Sequence, residues 1–343
     1  MTDTARDSYQ AALWPLPQRQ KTAKGKLRRL GIEIEFSGLG MEGIASILEQ
    51  AFGGSLDQQS KYEYFLRDAK LGSFSGDFGI ELDSAYMKKL GREQDPEAEV
   101  DDLENLADSV ISLIAEQVVP FEVVGPPVPM TEVWRINSVI QGLREGGARG
   151  TRQAPLYAFG LHLNPELPDL ECPTILAYLR AFLCLFDWLV QRSEVDLSRR
   201  ITPYIDPFPK AYMQLLLQAD YAPDMEQLID DYLEHNPTRN RALDMLPLFR
   251  HIDEERVLAA VDDDRIKARP TFHYRLPNCQ IDEPHWSLIQ AWRDWLQVEA
   301  LAADPERLDA LMQAWREHTG GLTGGLFGDW PKRCAPFLLP ELF

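Results

Sequence analysis

The stretch LGIEIEF, residues 30–36, alternates apolar and charged side chains with a period of two. That is the pattern of a β-strand with one face in a core: Ile32, Ile34 and Phe36 point inward, and Glu33 and Glu35 project together from the other face. The charged face decides the fold class. GLGMEG (38–43) follows this strand, opens a helix and matches G-x-G-x-x-G, and Asp57 and Glu63 lie at about the distance of a ribose-binding acid. The first strand of a dinucleotide-binding unit, however, is central, parallel and apolar on both faces. A strand carrying Glu33 and Glu35 is none of these, and no clean βαβ succession follows it. The glycines therefore read as a turn.

Working outward, Tyr62–Arg67 and Gly79–Asp83 read as strands around a glycine-marked hairpin. Val118–Val124 reads as a strand stopped by Pro126 and Pro127. Further strands are expected around Tyr157–Asn164 and at Thr271–Leu276. Helical spacing of apolar residues predicts helices at Glu42–Phe52, at Asp101–Gln117 and through about Glu145. It also predicts Ile175–Arg192, Lys210–Gln218, Met225–Glu234, Pro284–Ala302 and Asp304–His318. Residues 236–270 read as polar, acidic and irregular. The sum is an α+β protein with an antiparallel or mixed sheet. Residues 30–318 form its single main domain, with a helical insertion at about 165–270. Residues 1–29 read as a mobile arm, and 319–343 as a tail rich in glycine and proline.

The chain has 343 residues, enough to bury a sizeable core, and a formal net charge of −19. Phosphate backbones and anionic membranes would be repelled at long range, so neither nucleic acid nor membrane is an expected partner. The four cysteines (Cys172, Cys184, Cys279, Cys334) form no Cys-x-x-Cys pair and read as reduced thiols. The basic residues before position 30 precede no apolar run of a signal sequence. Ala181–Val190, the most apolar stretch, is short and interrupted by Asp187, so it reads as a buried helix. A soluble, cytoplasmic protein is expected.

Three segments place two polar side chains on one strand face: Glu33 with Glu35, His162 with Asn164, and His273 with Arg275. Two further strands carry single carboxylates, Glu81 and Glu122. If these strands share a sheet face, that face holds four carboxylates, two imidazoles and a guanidinium. Such a density of negative charge calls for cations, and oxygen-rich sites with one or two imidazoles suit Mg²⁺ or Mn²⁺. Taken singly, each residue has a plainer reading as a solvated strand face or a satisfied core histidine. No G-x-x-x-x-G-K-[ST] loop and no G-x-S-x-G elbow is present.

At these positions the sequence resembles the putative amidoligase family, in the glutamine synthetase and glutamate–cysteine ligase superfamily. The matching stretches are GIEIEF (31–36), GIELD (79–83), FEVVGPPVP (121–129), GLHLNP (160–165), RRITPYIDPFP (199–209) and FHYRLPN (272–278). The resemblance implies a curved, mostly antiparallel sheet packed with helices, with the active site on its concave face. It implies metal ligands at Glu33, Glu35, Glu81, Glu122, His162 and His273, with Asp77 or Asp68 as substitutes for Glu81. ATP would be held by Arg275, Asn164 and Glu122, and Arg275, Arg199 and Arg200 would steady the transferred phosphate or a substrate carboxylate. Two positions depart from the family pattern. His273-Tyr274-Arg275 replaces the usual Glu-x-Arg, and His162-Leu163-Asn164 replaces His-x-His.

The implied activity is ATP- and Mg²⁺- or Mn²⁺-dependent joining of a carboxylate to an amine through an acyl phosphate. The substrates would be small amino acids, amines or peptides. The alternatives at this stage are a small-molecule kinase, a metal-dependent hydrolase and a non-catalytic binding protein that keeps the fold. Nucleotide dependence and amide formation separate them.

Overall fold

The computed structural model describes residues 10–82, 120–151, 159–193, 205–263, 265–320 and 329–343. Its strands are β1 (Arg29–Phe36), β2 (Ser55–Gln58), β3 (Glu63–Leu71), β4 (Phe74–Leu82), β5 (Phe121–Val124), β6 (Val128–Pro129), β7 (Leu161–Pro165), β8 (Leu243–Asp244) and β9 (His273–Tyr274). The helices are α1 (Met41–Phe52), α2 (Asn137–Glu145), α3 (Cys172–Arg192), α4 (Lys210–Leu216), α5 (Met225–His235), α6 (Leu246–Ile252), α7 (Glu254–Ala260), α8 (Leu288–Ala302), α9 (Pro305–Gly320) and α10 (Trp330–Cys334). This is the expected mixture of helices and a mostly antiparallel sheet. The sheet is uncurled, where the resemblance implied a curved one. The expected helix at Asp101–Gln117 lies outside the described residues.

The chain divides into two compact units. The first comprises residues 31–162 and 278–288. Its strands neighbour one another in the order β2-β3-β4-β5-β1-β7, with β6 beside β1. The printed pairings of β2 with β3, β3 with β4, β4 with β5 and β5 with β1 are all antiparallel. Ile32, Ile34 and Phe36 of β1 are buried as their alternation requires. They share an apolar layer with Leu66, Phe78, Ile80, Phe121 and Val123 and with Ile44, Leu48 and Phe52 of α1. Phe52 stacks on Phe78 with centroids 5.3 Å apart.

The turn from α1 into β2 runs through Gly53 (φ 63°) and Gly54 (φ 100°). A Cβ on Gly54 would lie 2.4 Å from the Arg67 carbonyl oxygen, which belongs to the paired strand β3 and cannot move aside. Both the left-handed backbone and the contact exclude a side chain. Gly54→Ala is expected to destabilise the protein by more than about 1 kcal/mol, read as a lower urea midpoint at constant slope.

The second unit comprises residues 1–30, 163–277 and 289–343. In it β9 pairs antiparallel with both β7 and β8. The long helix α3 is the centre of its core. Its Tyr178 packs against Trp295 and Phe272, and its Phe182 meets Tyr274 edge-on at 5.7 Å. By length and composition α3 could cross a membrane, but 61% of its most apolar window is buried inside the protein. Trp330 of α10 packs on the middle of it, donating its indole N–H to the Cys184 carbonyl at 2.8 Å.

Residues 236–270 depart from the irregular reading: they hold β8, α6 and α7. Leu243, Leu246, Leu248, Phe249 and Val257 are fully buried there. Asp253 caps α7, its carboxylate accepting the Arg256 N–H at 3.0 Å. Helices of seven residues are too short to show two full periods of apolar spacing, so the acidic residues around them dominate the pattern.

Candidate functional site

In the first unit the strand register turns scattered glutamates into a line. Glu35 of β1 lies directly opposite Glu122 of β5, Glu122 opposite Glu81 of β4, and Glu81 opposite Glu63 of β3. Four carboxylates on four adjacent strands therefore form one transverse row, spanning roughly 14 Å at the usual strand spacing of about 4.8 Å. Like charges directly opposed are unfavourable. From the sequence Glu63 was weighed only as a ribose-binding acid, a reading set aside; it stands in a predicted strand, but only the pairing brings it into the row. Asp68 and Asp77, the substitutes for Glu81, are instead tied to each other in the β3–β4 hairpin. Asp77 accepts the Asp68 N–H and pairs with Arg67, each at 3.0 Å.

β7 brings the imidazole. The Glu35 N–H donates to the Gly160 carbonyl at 3.0 Å, and the Gly160 N–H donates to Glu35 Oε2 at 2.5 Å. Two residues on, His162 faces Glu33, with Nδ1 2.9 Å from Glu33 Oε2. His162 Nε2 is 3.4 Å from Glu35 Oε1, and Nδ1 is 4.0 Å from Glu122 Oε1. Glu33 and His162 are buried, while Glu35 and Glu122 are half-buried.

Ligand atoms of Glu35, Glu122 and His162 all lie within 4.8 Å of one another. Two carboxylates and one imidazole at that spacing fit a divalent cation of the Mg²⁺ or Mn²⁺ kind. The excess of negative charge in the adjoining row supports the same fit.

Burial first, then the charges of Glu63 and Glu33, push the Glu81 carboxyl above the usual carboxylate range. The folded protein thus holds this proton more tightly than the unfolded chain, and stability falls as pH rises through the raised value. Metal-free Glu81→Gln protein is expected to be more stable than wild type at neutral pH. The difference should vanish below about pH 4, where an ordinary carboxyl is protonated too. Urea midpoints measured in chelator across that range check it, and equal midpoints at neutral pH would contradict it.

The remaining expected residues lie in the second unit or outside the described residues. His273 of β9 is buried, with Nδ1 3.7 Å from Asp244 Oδ2 on β8. Asp244, fully buried, was missed in the segment read as irregular. Arg275 donates Nη1 to the Arg239 carbonyl at 2.9 Å. Asn164 is buried on β7. Arg199 and Arg200 lie outside the described residues.

One comparison with known proteins finds a match. A family model described as putative amidoligase enzyme matches residues 26–297. That span contains the whole carboxylate row, His162, His273 and Arg275, and its description is that of an enzyme forming amide bonds. No curated protein and no solved structure matches the chain.

Proposed function

The chain belongs to the putative amidoligase enzyme family, and from that premise we propose an ATP-dependent carboxylate–amine ligase. A carboxylate substrate would be activated as its acyl phosphate, and an amine would then displace phosphate to leave the amide. The observation that carries this reading is the set Glu35, Glu122 and His162, whose ligand atoms lie within 4.8 Å beside a row of opposed glutamates. Such a set would hold Mg²⁺ or Mn²⁺. When bound, the ion would offset the negative charge of a nucleotide's phosphates.

The chain's own residues have distinct tasks. The Gly160 N–H holds Glu35 in place through a 2.5 Å hydrogen bond. Glu33, buried against His162, fixes the orientation of that ring, so that Nε2 is the nitrogen turned to Glu35. In the proposed assignment Arg275, Arg199 and Arg200 supply the positive charge that steadies phosphate or the substrate carboxylate.

Calorimetry with a non-hydrolysable ATP analogue tests the nucleotide half of this reading. Binding is expected to tighten by about tenfold or more when Mg²⁺ or Mn²⁺ is added, a gain Glu122→Gln should lose. Binding indifferent to metal in the wild-type protein would overturn it.

A further inference from the structure

The loop after α5, NPTRNR at residues 236–241, gathers hydrogen-bonding groups without partners among the described residues. Asn236 is fully buried, and neither its Oδ1 nor its Nδ2 is bonded among the described residues, so turning the amide over changes nothing. The Tyr212 hydroxyl is equally buried and equally unbonded. Arg241 donates Nη1 to the Pro207 carbonyl at 2.6 Å and Nη2 to the His235 carbonyl at 3.4 Å, yet its buried Nε–H has no acceptor among the described residues.

These groups share one neighbourhood. The Tyr212 ring lies 5.6 Å from the His235 imidazole, next in sequence to Asn236, and stacks on Phe208 at 5.9 Å. The Arg241 guanidinium carbon is 5.8 Å from the Phe208 ring. Arg239 stands on the same loop, held below the usual arginine range by burial and then by the positive charge of Arg275. Two acids lie nearby. Asp231, whose charge bears on the Tyr212 hydroxyl, accepts from the Tyr221 hydroxyl at 2.6 Å and from Gln227 Nε2 at 2.7 Å. Asp244, whose charge bears on Arg239, accepts the Leu246 N–H on Oδ1 at 3.0 Å, and its Oδ2 lies 3.7 Å from His273 Nδ1.

Buried polar groups in folded proteins are almost always satisfied, by protein, water or a bound molecule. In a chain of net charge −19, a buried hydroxyl, a buried amide and a guanidinium N–H gathered around one loop suit an anion. We propose that Tyr212, Asn236 and Arg241 form an oxyanion site that takes a carboxylate or phosphate group of a small-molecule ligand. Arg241, half-buried, carries the site to the surface. The site belongs to the second unit alone and does not depend on the ligase reading.

Metal-free full-length protein titrated with sodium acetate, and separately with sodium phosphate, tests it against sodium chloride at equal ionic strength. At millimolar concentration one of the two anions is expected to raise Tm where chloride does not. A response to acetate marks a carboxylate site and a response to phosphate a phosphoryl site; either supports the proposal. Tyr212→Phe and Asn236→Leu each remove unbonded buried atoms, so both should fold at least as stably as wild type without added anion. Both should weaken the anion response by about tenfold or more. No shift beyond chloride, or a shift that both variants retain, would overturn the proposal. With neither metal nor nucleotide present, failure here would leave the ligase reading standing, and the reverse holds too.

Discussion

Glu35→Gln is expected to lower ATP turnover by at least about 100-fold, the loss typical when a preorganised electrostatic contact is removed from an active site. Its folding should be unaffected. The glutamine keeps a side-chain oxygen for the Gly160 N–H, and the apolar face of β1 is untouched. One charge also leaves a row in which Glu35 opposes Glu122. The variant should therefore unfold at the wild-type urea concentration or above it when metal is absent. Two neighbours calibrate the result. Glu63→Gln, at the far end of the row, should cost far less activity. Glu33→Gln should cost both activity and stability, because Glu33 is the buried partner of His162 at 2.9 Å. Wild-type turnover in Glu35→Gln would remove the metal assignment.

Arg28→Met is expected to destabilise the second unit by about 3–5 kcal/mol, the range for breaking a buried ion pair from one side. Arg28 is 0% exposed. It grips Glu299 with two hydrogen bonds, Nη2 to Oε1 at 2.6 Å and Nη1 to Oε2 at 2.9 Å. It also donates Nε to the Glu166 carbonyl and Nη1 to the Arg19 carbonyl, each at 2.7 Å. Tyr178 and Trp295 donate to the same Glu299 carboxylate. Burial and then the Glu299 charge push the Tyr178 hydroxyl up, so it remains a donor. Without Arg28, Glu299 is left as a charge in a nearly dry core. Arg28→Met combined with Glu299→Leu should recover much of the loss, since removing both partners is far cheaper than removing one. Tryptophan fluorescence in urea, reporting Trp292 and Trp295, reads both variants. A double variant no more stable than Arg28→Met would show that the cost lies in packing and not in the unpaired charge.

The alternation at residues 30–36 was enough to place β1, its buried face and the glutamates on the other. The long helices were equally readable, because α3 and α8 each carry several periods of apolar spacing. Pairing was not. Nothing in a single sequence says that Glu122 sits opposite Glu35 or that Glu63 joins the row, because register is a relation between strands. Short elements failed for a different reason. β8 is two residues long and α6 and α7 seven, below the length at which a period can be recognised, whereas β9 lies within the strand expected at Thr271–Leu276. Asp244 was lost with them. The N-terminal residues show a third gap: their prolines and many polar groups suggested an arm, whereas Trp14 and Arg28 are buried and Pro15 accepts the Trp292 indole N–H at 2.8 Å.

On the proposed reading, this protein spends ATP to join a carboxylate to an amine. The most direct test of that reading is ADP release from purified protein with ATP and Mg²⁺ or Mn²⁺, against a panel of amino acids, polyamines and short peptides, with mass spectrometry of the products. The ligase reading predicts release that requires both a carboxylate and an amine, and a product whose mass is their sum less one water. ADP release with no condensed product, or none under any pairing, would contradict it.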